Sequence, residues 1–108
     1  MHKRYNALLT AGAEHDMEAL YDYVAEFDSA AQAEALLEKI LQTANSLAMH
    51  PERGTYPKEL LSLGIREYRQ LFFKPYRVIY RVLGKQVYIY LIVDGRRDLS
   101  TLLATRLL

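Results

Sequence analysis

The chain has no cysteine in its 108 residues. Neither a disulfide framework nor a thiolate metal site can therefore be built. No apolar run approaches the roughly 20 residues that a membrane span needs. The opening stretch "MHKRYNALLTAGAEHD" turns acidic after one short apolar run, so no secretory leader is read there and the expected setting is cytoplasmic, with no membrane contact. Repeats and low-complexity segments are lacking too. His2, His15 and His50 have no mutual spacing of a metal site. No metal and no cofactor are expected.

Basic residues are scarce in the first half. Residues 1–52 hold three (Lys3, Arg4, Lys39) against nine acidic ones, a balance of −6. Residues 53–108 hold eleven against four, a balance of +7. The formal net charge of +1 conceals this division. It points to an anionic partner for the second half, or to mutual attraction of the halves. The length fits one domain, residues 1–108, and 51% hydrophobic content supports one modest core.

Residues 4–10 read as a first strand, ended by Gly12. Ala13, Met17, Leu20, Tyr21, Val24 and Phe27 then recur at helical spacing. Ser29 and Gln32 match a capping box that opens a second helix, whose apolar stripe runs from Ala33 through Leu41 to Ala48 and stops before Pro51. The short connection predicts an antiparallel helical hairpin. Residues 50–64, with two prolines and two glycines, read as an ordered loop. Strands are predicted at about 65–73, 76–83 and 86–93, and the tail "DLSTLLATRLL" can close as a short helix. The expected fold class is α+β: β-α-α-β-β-β, with the hairpin packed on one face of a twisted antiparallel sheet.

Gly84-Lys85 suits a two-residue type II′ turn that pairs Leu83 with Gln86. Extending that register puts Tyr76, Val78, Tyr80 and Val82 on the helix side with Val87, Ile89, Leu91 and Val93. Arg77, Ile79 and Arg81 then lie with Tyr88, Tyr90 and Ile92 on the outer side. Arg66, Tyr68 and Gln70 share one face of the preceding strand. Arg96 and Arg97 follow the last strand, flanked by Asp94 and Asp98. An arginine and tyrosine face suits RNA phosphates and bases, or an acidic or apolar protein segment. It is equally the composition of an ordinary exposed face, with arginine stems covering tyrosine rings.

The helical hairpin, "HPERG", "GIREY", "PYRVIYRV" and "VYIYLIVDGRRD", in this order and spacing, resemble the RelE/ParE superfamily of bacterial toxins. The resemblance covers most of the chain. It implies a toxin encoded beside a cognate antitoxin that neutralises it by direct binding, the arrangement of growth-inhibiting plasmid stabilization modules. RelE-like members cut mRNA on the ribosome, and ParE-like members poison DNA gyrase. In the RelE-like pattern Arg77 and Arg97 match two functional arginines, and Arg66 could join them on the scissile phosphate. The two lysine positions hold Tyr68 and Gln70, and the tail tyrosine position falls near Leu103. Arginine stabilises phosphate charge but stays protonated, so it is a poor base. The resemblance therefore implies a ParE-like gyrase inhibitor. A RelE-like nuclease and a non-toxic antitoxin-binding protein of the same fold stay open, as does a homodimer. The expected target contacts are Arg96 and Arg97. The expected antitoxin contacts are Arg77, Arg81, Tyr88 and Tyr90.

Overall fold

The computed structural model describes residues 5–107. Its elements are β1 (Asn6–Leu9), α1 (Ala11–Phe27), α2 (Ala30–Ser46), α3 (Lys58–Leu61), β2 (Arg69–Phe73), β3 (Tyr76–Leu83), β4 (Gln86–Asp94) and α4 (Ser100–Leu107). The sheet order is β1-β4-β3-β2. The three later strands are antiparallel, and β1 joins β4 in parallel. The helical hairpin supplies the crossover that a parallel partner requires.

Thr10 starts α1: its hydroxyl accepts the Ala13 N–H at 3.2 Å. This cap places Gly12 inside the helix instead of at a break before it. The Gly12 position is also crowded, since a Cβ there would lie 2.5 Å from the Arg106 guanidinium. Ser29 caps α2 by accepting the Gln32 N–H at 3.1 Å. Ala33, Ile40 and Ala44 form the buried stripe of α2. Leu41 is exposed, one residue past Ile40 and so turned by about 100° from it.

The hairpin covers the inner face of the sheet. Met17, Ile40, Ala44 and Leu47 pack there against Val78, Tyr80, Val87, Ile89 and Ile92. The outer face is covered as well, which the one-sided expectation did not include. Leu60 of α3, Leu99 just before α4 and Leu103 of α4 close over Tyr68, Ile79, Leu91 and Val93 as a second core. The tail forms the expected short helix, and Leu102, Leu103 and Leu107 pack into this core. α3 forms inside the predicted loop, directly after Pro57. β2 is shorter than expected, since residues 65–68 approach it outside the ladder.

Leu83 pairs with Gln86, as the turn requires, and Gly84 has φ 61°. The expected register holds only as far as Tyr80 opposite Ile89. Ile79 then faces Leu91, so Tyr90 is an extra residue, a β-bulge. Side-chain sides exchange from there on. Leu91 and Val93, expected against the hairpin, belong to the outer core, and Ile92, expected outside, belongs to the inner one. The Tyr80 hydroxyl crosses to the "HPERG" loop, donating to the Pro51 carbonyl at 2.8 Å and accepting the Gly54 N–H at 3.0 Å. Gly54 is required there: a Cβ would meet that hydroxyl and the Gln70 carbonyl at 2.6 Å each.

Candidate functional site: the outer sheet face and the turn after β4

Alternation along β2 puts Gln70 and Phe72 on the outer face, with Tyr68 just before the strand, beside Arg77, Ile79 and Arg81 of β3. The arginines diverge in environment. Arg77 is 5% exposed. Its guanidinium holds both carboxylate oxygens of Glu59, at 2.7 and 3.0 Å, and its Nε donates to the Gln70 side-chain oxygen at 2.8 Å. This fork-on-fork pairing is the strong form of the arginine–carboxylate bond. The Arg77 hydrogen bond holds the Glu59 carboxyl below its ordinary range, against the opposing effect of burial. The expectation of Arg77 on an open face is therefore corrected: α3 brings a counter-charge over it. Glu59 and Gln70 had no assigned role in the sequence, and only Pro57 before "KELL" marks α3 as a helix start.

Glu59 makes stability depend on acid. Its folded pKa lies below the ordinary value of 4.5. The stabilisation it lends is present above that value and fades as pH falls towards the folded pKa and below it. Urea midpoints measured from about pH 7 down to about pH 3 should therefore fall more steeply for the wild type than for Glu59→Gln. Parallel slopes would remove Glu59 from the acid response.

Arg81, Tyr88 and Tyr90 do come together. Arg81 is paired across the strands with Tyr88. Its guanidinium carbon lies 5.7 Å from the Tyr68 ring centre, and Tyr68 meets Tyr90 edge-on at 5.6 Å. Tyr88 and Tyr90 are 6.4 Å apart. All three expected residues are partly exposed. Arg66 is exposed in the loop before β2 and lines a groove with Tyr56, Arg69 and Arg81.

The basic turn holds two different arginines. Arg96 folds back on Asp94: its Nε and backbone N–H both donate to Oδ1 at 2.9 Å, and its Nη2 to Oδ2 at 2.5 Å. Those bonds lower the Asp94 pKa to about 2. Arg97 is exposed, and its side chain makes no hydrogen bond among the described residues. Asp98 accepts the Ser100 N–H at 3.1 Å and so opens α4. A groove of about 540 Å³ runs from this turn along β4, with Tyr23, Tyr76, Ile92 and Leu102 in its walls. At its far end Arg106 holds Asp16 through two bonds, at 3.1 and 3.0 Å, and also donates to the Tyr90 carbonyl at 2.9 Å. Asp16 accepts the Ile92 N–H at 3.0 Å. This pair covers the β4 edge where β1 has ended, which blunts it against strand addition. The sequence offered no sign of a contact spanning 90 residues.

The architecture is a helical hairpin on a four-stranded sheet, with a basic turn and tail helix after the last strand. A family model described as "ParE toxin of type II toxin-antitoxin system, parDE" matches residues 7–99. The chain belongs to this ParE toxin family. Among solved structures it is similar to a chain of the chromosomal ParDE toxin–antitoxin system from P. aeruginosa. That match has a TM-score of 0.72 and 21% identity over 85% of this chain and 97% of the other. It is also similar to a chain of the RelBE2 toxin–antitoxin complex from Mycobacterium tuberculosis. There the TM-score is 0.63, with 20% identity over 88% and 94% of the two chains. No curated protein matches the sequence. No helix among the described residues is long and apolar enough to cross a membrane.

Proposed function

We propose that this ParE-type toxin arrests growth in the cytoplasm by inhibiting DNA gyrase, and that a cognate antitoxin neutralises it by direct binding. The observation that carries the choice of target is Arg77. A RelE-like nuclease would need this guanidinium on the scissile phosphate, yet Glu59 and Gln70 occupy it. Tyr68 and Gln70, at the positions of the RelE-like lysines, are both buried. Glu59, the carboxylate beside them on the outer face, is held by Arg77 through both oxygens. Arg97 and Arg66 line separate grooves. The Arg96–Arg97 turn is exposed and basic, which suits an electrostatic contact with gyrase or its DNA complex.

The two similar structures both come from toxin–antitoxin systems, which supports an antitoxin partner here. Arg81, Tyr88 and Tyr90 offer that partner aromatic and cationic contacts on the outer face. One folded preparation, assayed in parallel for gyrase supercoiling and for in vitro translation, tests the target. Supercoiling inhibition with unaffected translation is expected. Cleaved mRNA with normal supercoiling would reverse the choice, and no effect in either assay would favour a protein that only binds its antitoxin.

A further inference from the structure

The outer edge of β2 is open for one residue in a way that backbone geometry fixes. In an antiparallel strand the N–H and C=O of one residue point to the same side, and successive residues alternate. Gln70 exchanges both of its backbone hydrogen bonds with Thr55, at 2.7 and 3.0 Å, on the side away from β3. The β2–β3 register continues without a shift to Phe73 opposite Tyr76. Phe72 therefore points its N–H and C=O away from β3 as well, and Thr55 does not extend far enough to meet them. No bond to either group is made among the described residues. Edges of this kind are usually paired, covered or twisted away.

The surroundings of Phe72 specify the chemistry of a partner. Phe72 is 61% exposed. A groove of about 440 Å³ follows the edge between β2 and the C-terminal half of α2, with Lys39 and Arg53 in its walls and no carboxylate. Lys74, also exposed, closes the end of the strand. The groove is positive although α2 belongs to the acidic half of the chain. An extended segment with acidic side chains satisfies the backbone pair by strand addition, the ring by an apolar contact, and the lysines by charge.

We infer that the antitoxin adds a short acidic strand to the β2 edge at Phe72. This rests on the antitoxin reading above and gives it a place. The strand extends the sheet on the side opposite β1, and its side chains alternate between the α2 groove and the outer face. Held there, the antitoxin spans Phe72 and reaches towards the aromatic surface of Arg81 and Tyr88.

Phe72→Pro tests it. Proline removes the N–H that no internal partner uses and is tolerated on an edge strand. Phe72→Thr removes the ring and keeps the N–H. Binding of purified antitoxin is measured for wild type and both variants, with circular dichroism to establish folding. The Phe72 amide is followed by hydrogen exchange in the free and bound wild type. We expect Phe72→Pro to weaken binding at least 30-fold, Phe72→Thr less than tenfold, and the amide to become protected in the complex. Lys39→Glu should weaken binding a few-fold through faster dissociation. Wild-type affinity in folded Phe72→Pro overturns the placement while leaving an antitoxin partner in place. Equal losses in the two variants overturn strand addition, because the ring alone would then be the contact. Self-association of the wild type that Phe72→Pro abolishes, with antitoxin affinity unchanged, assigns the edge to a second copy and overturns the antitoxin as occupant. Failure of the wild type to bind antitoxin overturns the inference together with the reading beneath it.

Discussion

Arg77→Ala is expected to cost about 3 kcal/mol of stability, the lower end of the range for breaking a buried ion pair. The lower end applies because the Glu59 side chain keeps 13% exposure, against 6% for Arg77. In a domain of this size the melting temperature would fall by about 10–20 °C. Three losses contribute. The Glu59 carboxylate loses its counter-charge on a surface that α3 and β3 enclose. The Gln70 side-chain oxygen, in a residue only 7% exposed, loses its donor. The arginine stem also supports the turn after β4, since a Cβ on Gly95 would lie 3.0 Å from Arg77 Cγ and Cδ. Thermal melts of Arg77→Ala, Glu59→Leu and the paired swap Arg77→Met/Glu59→Leu form the test. The swap should recover most of the stability that Arg77→Ala loses, because an apolar pair leaves no charge without a partner. Unchanged melting of Arg77→Ala would mean that Arg77 is not structural. With the expected destabilisation, loss of toxicity on Arg77→Ala follows from unfolding and returns in the swap.

The hairpin and the strands were legible because each rests on local periodicity. Ser29, Gly84 and the stripe from Ala33 to Ala44 signal their roles within a few residues of chain. The outer face was misread for a reason that is not local. A register extended from the Gly84-Lys85 turn is correct until a residue is inserted, and nothing about Tyr90 announces the bulge. Its consequence is large: Leu91, Ile92 and Val93 all change sides. Arg77 was placed on the correct side of its strand but in the wrong environment, because burial of that side depends on α3, four residues long, and on α4. Charge could not show the pairing either. Glu59 is one of four acidic residues after position 52, and only the fold selects which arginine it meets. The basic turn was legible as a feature, but its internal division was not, since Asp94 could have paired with either arginine. It takes Arg96.

That division makes Arg97→Ala the substitution expected to remove most gyrase inhibition. Arg97 is exposed, with no hydrogen bond to its side chain among the described residues. Its guanidinium is therefore available to an anionic group on a partner without first breaking an internal bond. Arg96 is 78% exposed as a side chain but has its fork turned onto Asp94. Engaging a partner through Arg96 would compete with a carboxylate that stays ionised down to about pH 2. Arg96→Ala should thus reduce inhibition less, and it releases Asp94 as an added negative charge beside the site. The double substitution should abolish both supercoiling inhibition and growth arrest. Folding should survive in each case, as is usual for surface substitutions without a buried partner. Antitoxin binding at Phe72 should survive as well, since that edge lies on the far side of β3. The measurement is supercoiling inhibition at matched concentrations of folded wild type, Arg96→Ala, Arg97→Ala and the double variant, with Arg97→Lys to separate charge from the planar fork. A loss of at least tenfold for Arg97→Ala, partly restored by Arg97→Lys, is expected. Equal inhibition by wild type and the double variant would exclude this turn as the target contact, whereas inactivity of the wild type would sink gyrase as the target.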